Sequence, residues 1–326
     1  MPRTVVWWLY AALVIIWSST WVVIKIGLED VPPLLGAGIR FAVAGAGLLV
    51  AARVMRRSLR TDLILAATLA TLPFAAAYGL IYWGEQYVPS GLAAVLFGVM
   101  PLYSATIASL ALADEPLHPR LLAGIAVAIG GLALAFGESL ALGDAKWALL
   151  AASACALAPL ASAIGNVAIS GLALAFGESL ALGDAKWALL AATACALAPL
   201  ASAIGNVAIK RRGATLDAVV LNGWAMLGGG LLLLAASAPT EDWASTAWTG
   251  QAVGSIVYLA AIGSALTFVT LTILLRELRA VTVSYVTLLL PFGALAFGAA
   301  LYDERITAAA VGGALLVASG LAVAAR

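Results

Sequence analysis

Charge is what this sequence has least of. Lys, Arg, Asp and Glu supply 10% of its 326 residues, against about 25% in soluble domains. Hydrophobic residues reach 64%, more apolar surface than a water-soluble fold of this length can hide. A soluble globular domain is therefore excluded. The net charge of +1 argues against a nucleic-acid role. Histidine occurs once, as His118 in the polar turn EPLHPR, where a solvated loop residue is expected. Cysteine occurs twice, and Cys155 and Cys195 are one residue seen in two copies of a repeat. Both lie in apolar sequence, where a small buried thiol is expected, so no disulfide or metal framework follows. There is no Walker loop, so ATP is not the energy source. No nucleophile with a base, intramembrane carboxylate pair or histidine cluster is present, so enzyme activity is not expected.

What the sequence does have is apolar runs of 17–25 residues, each about one hydrocarbon thickness when helical. Charge and proline divide them into helices near 5–27, 33–53, 63–84, 91–113, 120–137, one or more in 147–209, 215–236, 251–273, 280–301 and 307–325. The opening run MPRTVVWWLYAALVIIWSST lacks a small-residue cleavage site and reads as a retained span. Polar ends alternate in sign. Arg3, Arg53–Arg60, Arg120, Lys210–Arg212, Arg276, Arg279 and Arg326 mark one side; Glu29–Asp30, Glu85, Glu138, Asp144, Glu241–Asp242 and Asp303–Glu304 mark the other. Lys and Arg are retained on the cytoplasmic face. Both termini are thus expected in the cytoplasm, with an even number of crossings. The expectation is an all-α polytopic membrane protein of ten transmembrane helices.

Two repeats of different age run through the chain. The older pairs PLYSATIASLALADEPLHPRLLAG, from Pro101, with PFGALAFGAALYDERITAAAVGG, from Pro291. In each, a proline inside a helix precedes by 13–14 residues a glutamate just past the helix end, Glu115 or Glu304. Glycines follow nine and sixteen residues later: Gly124 and Gly131, Gly313 and Gly320. The fourth and fifth helices therefore correspond to the ninth and tenth. Glu115 falls on the cytoplasmic side and Glu304 on the periplasmic side, so the halves are inverted. Inverted repeats characterise secondary transporters, with the substrate between the halves near midplane.

Three further stretches accompany these landmarks: W-S-S-x-W-x-x-x-K from Trp17 to Lys25, the early Arg40, and YGLIYWGEQYVPSGLAAVLFGVMP. Together they resemble the paired EamA repeats of the drug/metabolite transporter superfamily, and the whole is most similar to the YddG-type amino-acid exporters. The resemblance covers all but an extra 40 residues. It implies two inverted five-helix repeats around a central cavity that alternates between faces, with no cofactor and no ATP. It also implies a small-molecule substrate and a bacterial inner membrane, and is compatible with a monomer. The expected function is export of amino acids or similar small metabolites by alternating access. A non-transporting sensor or assembly protein on the same scaffold, or a proton-coupled drug exporter, are the alternatives.

Candidate site residues are few, because charge inside the membrane is scarce and costly. Lys25 and Arg40 are the intramembrane cations, serving either as structural anchors or in gating and carboxylate recognition. No acid lies at mid-helix, which favours a facilitator running down the substrate gradient. Aromatic and large apolar residues form stripes at helical spacing: Trp17, Trp21 and Ile24; Phe74, Tyr78 and Tyr82; Tyr285, Leu289 and Phe292. Helix contacts in lipid favour small residues, so these stripes read either as cavity lining or as lipid-facing aromatics. Trp17, Tyr78 and Tyr285 are expected to converge on one pocket. Met100 stands beside Pro101, and Pro101 and Pro291 are candidate hinges that free backbone carbonyls. Asn206 is a candidate polar contact.

The younger repeat is nearly exact. Residues 131–169 recur at 171–209 with 38 of 39 identical, a tandem duplication around the sixth helix. A fresh duplication, an engineered insertion and an assembly error all fit it. The charge pattern favours an insertion that preserves topology, with residues 185–209 in the native sixth position. The expected division is 1–137 as first repeat, 138–184 as extra segment and 185–326 as second repeat.

Overall fold

The computed structural model describes residues 1–88, 90–136, 183–302 and 307–324. The extra segment as far as residue 182, with Glu138, Asp144 and Cys155, lies outside them, as do Asp303, Glu304 and Arg326.

Among the described residues all regular structure is helical. The helices are α1 (Arg3–Leu28), α2 (Pro33–Val54), α3 (Leu63–Leu69 continuing through Ala70–Ala77 and Tyr78–Gly84), α4 (Ser90–Phe97 and Met100–Ala111) and α5 (Pro119–Phe136). They continue as α6 (Gly183–Arg212), α7 (Ala218–Thr240), α8 (Gly250–Ala260, Ala261–Leu266, Thr267–Glu277), α9 (Ala280–Ser284 and Val286–Tyr302) and α10 (Ala308–Ala324). Eight contain a stretch long and apolar enough to cross a membrane, while α5 and α10 are shorter apolar helices. Ile15, Val50, Leu110 and Leu315 stand 60–73% exposed on the outside of the bundle. Water would penalise such a surface and lipid requires it. The chain is a multi-pass membrane protein.

Lipid gives helices no hydrophobic reason to associate, so close contact must come from small residues. Two antiparallel pairs supply it. On α2 and α7, Gly38 and Gly45 face Gly230 and Gly223; on α5 and α10, Gly124 and Gly131 face Gly320 and Gly313. All four sets are spaced by seven residues, so both contacts of a pair fall on one stripe. A Cβ at Gly45 would lie 2.7 Å from the Gly223 carbonyl oxygen and 2.8 Å from Leu227 Cα, so the backbones themselves touch.

Two helices are interrupted near their middles by a wider π-helical turn. In α3 it runs Ala70–Ala77 around Pro73. Proline has no N–H and its ring clashes with the carbonyl four residues back, so the turn opens. Gly205 of α6 accommodates that bulge, since a Cβ there would meet Pro73 Cγ at 2.8 Å. The matching turn in α8 spans Ala261–Leu266. The fourth helix breaks at Gly98–Val99, between its two segments. Pro101 thus lies in the first turn of the second segment, where a missing N–H is least costly.

Charges gather at the helix ends. At one end Arg57 pairs with Asp217 at 3.0 Å, Arg212 with Asp62 at 2.7 Å and Lys210 with Glu115 at 3.6 Å. Asp62 also caps α3, and the Leu65 amide together with Arg212 holds its carboxyl below the usual carboxylate range. At the other end Glu241 accepts from the amides of Leu34 and Leu35, both at 2.8 Å, closing the N-terminus of α2. A carboxylate there also suits the helix dipole.

The glycine contacts yield a paired test. Gly45→Ala should lower stability in detergent by about 1–3 kcal/mol, the usual cost of overpacking. Gly47→Ala, with nothing within 4 Å of its Cβ position, should be neutral or gain up to about 1 kcal/mol from helix propensity. Equal melting temperatures for the two variants would show that the α2–α7 contact is not backbone-tight.

Candidate functional site

A cavity lies between six of these helices. From α1 come Trp17, Thr20, Trp21 and Ile24, which an unbroken helix places on one stripe. Pro73, Tyr78 and Ile81 of α3 form a second wall, and Phe97 and Met100 face it across the break in α4. Ser202 and Asn206 come from α6, Phe268 and Leu271 from α8, and Leu290 from α9. The volume is about 50 Å³, room for a few waters. Small-molecule sites run to roughly 300–1,000 Å³, so the walls must part before a metabolite can enter.

The aromatic residues form a connected cluster. Phe268 lies 5.4 Å from Trp17, 4.8 Å from Phe74 and 6.0 Å from Tyr78 between ring centroids. Trp21 meets Phe97 edge-on at 5.8 Å. Behind this lining sits Arg40, 0% exposed. Its Nε donates to Ser264 Oγ at 2.7 Å, Nη1 to the Tyr82 hydroxyl at 3.1 Å and Nη2 to the Gly263 carbonyl at 3.2 Å. Both Ser264 and Gly263 belong to the π turn of α8. The guanidinium carbon lies 5.0 Å from the Phe41 ring centre and 4.9 Å from that of Tyr78, within cation–π reach. Arg40 is thus engaged on every nitrogen. A relay links it to the cavity: Trp17 Nε1 donates to Thr267 Oγ1 at 3.0 Å, and Thr267 donates to the same Gly263 carbonyl at 2.8 Å.

Among the residues singled out in the sequence, Trp17, Trp21, Tyr78, Met100 and Asn206 line the cavity. Phe74 is packed behind it between Phe41 and Phe268, and Tyr82 is turned to Arg40. Lys25 donates to the backbone carbonyl of Glu85 at 2.5 Å, beyond the lining. Tyr285 is not brought to Trp17 and Tyr78. It is buried in the turn between the two segments of α9, and that break shifts the helical phase. Leu290 therefore reaches the cavity, while Leu289 and Phe292 pack against the surrounding core. Pro101 and Pro291 lie in the second segments of α4 and α9, outside the lining. Sequence reasoning missed Phe268, Ser202 and Pro73. Ser202 stands one turn before Asn206, and Pro73 is a mid-span proline; both signals were present.

Fold and cavity define a helical multi-pass membrane protein with an internal site between its helices. The chain belongs to the EamA-like transporter family, whose profile matches residues 4–137 and 185–326. The uncharacterized transporter YoaV of Bacillus subtilis is 27% identical over 313 residues, 95% of this chain and 93% of that protein. A probable terminal-alkyne amino-acid exporter of Streptantibioticus cattleyicolor is 30% identical over 150 residues, 45% of this chain and half of that protein. A crystal structure of a protein only 17% identical shares the fold, with a TM-score of 0.72 over 99% of this chain and 97% of the other.

Arg40 can be tested as a structural tie. Arg40→Leu leaves three buried neutral partners unmet and should cost about 1–3 kcal/mol of stability for each one left unpaired. Arg40→Lys should recover little, because an ammonium lacks the planar fork. A Leu variant as stable as the parent in detergent unfolding would show that Arg40 is held for another purpose.

Proposed function

We propose that this protein is an inner-membrane secondary transporter that exports amino acids or similar small metabolites. It works by alternating access between two inverted five-helix halves, α1–α5 and α6–α10. One observation carries the reading: a central, mostly apolar cavity with five aromatic residues in its lining is walled by matched helices of both halves. Trp17–Lys25 in α1 and Ser202–Lys210 in α6 are equivalent stretches, each lining the cavity and ending in Ile-Lys. Lys25 donates to the carbonyl of Glu85, the residue capping the end of α3. Lys210 donates at 2.7 Å to the carbonyl of Leu278, the residue capping the end of α8. Each half thus ties its first helix to its third, one at each face. The π turns also sit in the third helix of each half, and α2–α7 and α5–α10, equivalent pairs, run antiparallel. On this reading residues 1–137 and 185–326 are the two repeats, and α6, formed by the second copy of the duplicated stretch, fills the sixth position.

Energy coupling follows from where acids sit. Among the described residues Glu85 and Glu115 are buried acids, but both stand at helix ends, and Glu115 accepts the Ala280 amide and faces Lys210. With no carboxylate at mid-cavity, transport runs down the substrate gradient. Arg57, Arg60, Lys210–Arg212, Arg276 and Arg279 mark one end, which the positive-inside rule assigns to the cytoplasm together with both termini. The amino-acid exporter among the relatives supports the substrate class.

The test is counterflow by the purified chain in liposomes, screened with the twenty amino acids and common metabolites. Exchange of at least one labelled solute is expected, without need of a pH gradient. Trp21→Ala should weaken its apparent affinity by about 1–3 kcal/mol, roughly 5- to 150-fold. Trp83→Ala, whose ring contacts Tyr87 and Trp187 outside the lining, should change little. No exchange of any solute would favour a non-transporting scaffold, and flux that collapses with the pH gradient would replace facilitated diffusion with proton coupling.

A further inference from the structure

Many hydroxyls buried in these helices close on their own backbone, whereas Ser104 Oγ is sealed in the bundle with no partner among the described residues. Ser18 donates to the Val14 carbonyl at 2.8 Å, Thr106 to Leu102 at 3.0 Å and Thr270 to Leu266 at 2.9 Å. The buried amide of Asn222 is likewise spent, on Ala218 O at 2.9 Å and Thr272 Oγ1 at 2.7 Å. Ser202 and Asn206 break this pattern. They are 9% and 5% exposed, one turn apart on α6, and both face the cavity. Neither makes a hydrogen bond among the described residues. Unlike Ser104 Oγ, their polar atoms are not sealed in protein but open onto the cavity, where an entering group can meet them.

Among the described residues, no charged side chain lines that cavity. Arg40 is fully engaged behind the lining, and Lys25 is bound to a carbonyl beyond it. A lone ion entering here would lose its water with no counter-charge to replace it. The positions of α1 equivalent to Ser202 and Asn206 are Trp17 and Trp21. The two halves have therefore divided the cavity, with flat aromatic surface from the first and hydrogen-bonding groups from the second.

Resting on the transport reading above, we propose that Ser202 and Asn206 are the polar end of the substrate site. They select a net-neutral solute with a ring-sized apolar body and one end that both donates and accepts hydrogen bonds. An amide and a hydroxyl each donate and accept, so they can meet an uncharged amide or the adjacent ammonium and carboxylate of a zwitterion. Rings and aliphatic groups then rest against Trp17, Trp21 and Phe268. A single carboxylate or ammonium is left half-satisfied and is rejected.

Four probes that share a phenyl body separate the possibilities: L-phenylalanine, 3-phenylpropanamide, 3-phenylpropionate and phenethylammonium. Their binding to the purified full-length protein in nanodiscs can be read by thermal shift and calorimetry. The zwitterion and the amide should bind at least about tenfold tighter than either ion, the scale on which unpaired buried groups discriminate. Asn206→Leu should weaken both neutral probes by about tenfold or more, and Ser202→Ala by less. Asn206→Asp should shift preference toward phenethylammonium, a gain that a merely misfolded variant cannot show. Ions binding as well as neutral probes, unchanged affinity in Asn206→Leu, or no binding of any probe at millimolar concentration would overturn the proposal. Counterflow of other solutes would in those cases leave the transport reading standing. Charge-selective binding without counterflow would do the reverse.

Discussion

Backbone contact at glycine is the constraint on which this architecture hangs. In lipid the helices gain nothing by hiding apolar side chains from one another. The two antiparallel pairs α2–α7 and α5–α10 instead hold together because glycines at a seven-residue spacing let their main chains touch. On the inverted-repeat reading, each pair joins one helix of the first half to its counterpart in the second. The remaining helices are thereby left to surround the centre without packing it shut. Bulky rings can then line a space that close-packed helices would have eliminated.

A second consequence concerns charge. A guanidinium with 0% exposure inside the bundle is tolerable only where its nitrogens find hydrogen-bond partners. The π turn of α8 meets two of them, because opening the helix turns the Gly263 carbonyl and Ser264 hydroxyl toward Arg40. The same carbonyl receives Thr267, which receives Trp17. The strongest charge near the cavity is thus consumed in fixing the shape of its wall. What faces the interior is neutral.

The sequence made some of this legible and hid the rest for physical reasons. The spans were readable because hydrocarbon demands unbroken apolar runs, and the basic ends because charge is excluded from them. Gly124, Gly131, Gly313 and Gly320 stood out as landmarks before their role as contact points was visible. The α1 stripe translated directly into a cavity wall because α1 is regular from Arg3 to Leu28. The others did not. The π turn around Pro73 adds residues to a turn, so Phe74 packs behind the lining while Tyr78 reaches it. The break at Tyr285 rotates α9 and brings Leu290 inward in place of Leu289. Periodicity holds only while the helix is uninterrupted, and transport-type helices are interrupted near their functional centres. Asn206 was findable as a mid-span amide, and Ser202 by standing one turn before it on the same helix face.

The central claim is that two related halves expose one cavity to opposite faces in turn. Met100, 4% exposed and on the cavity wall, is the place to test it. With Cys155 and Cys195 replaced by serine, Met100→Cys in oriented membranes should react with an impermeant thiol reagent from either side. Releasing the tie at Lys210 by Lys210→Met should favour labelling from the basic face, and Lys25→Met labelling from the opposite one. Labelling from a single face, indifferent to both lysine substitutions, would contradict the account.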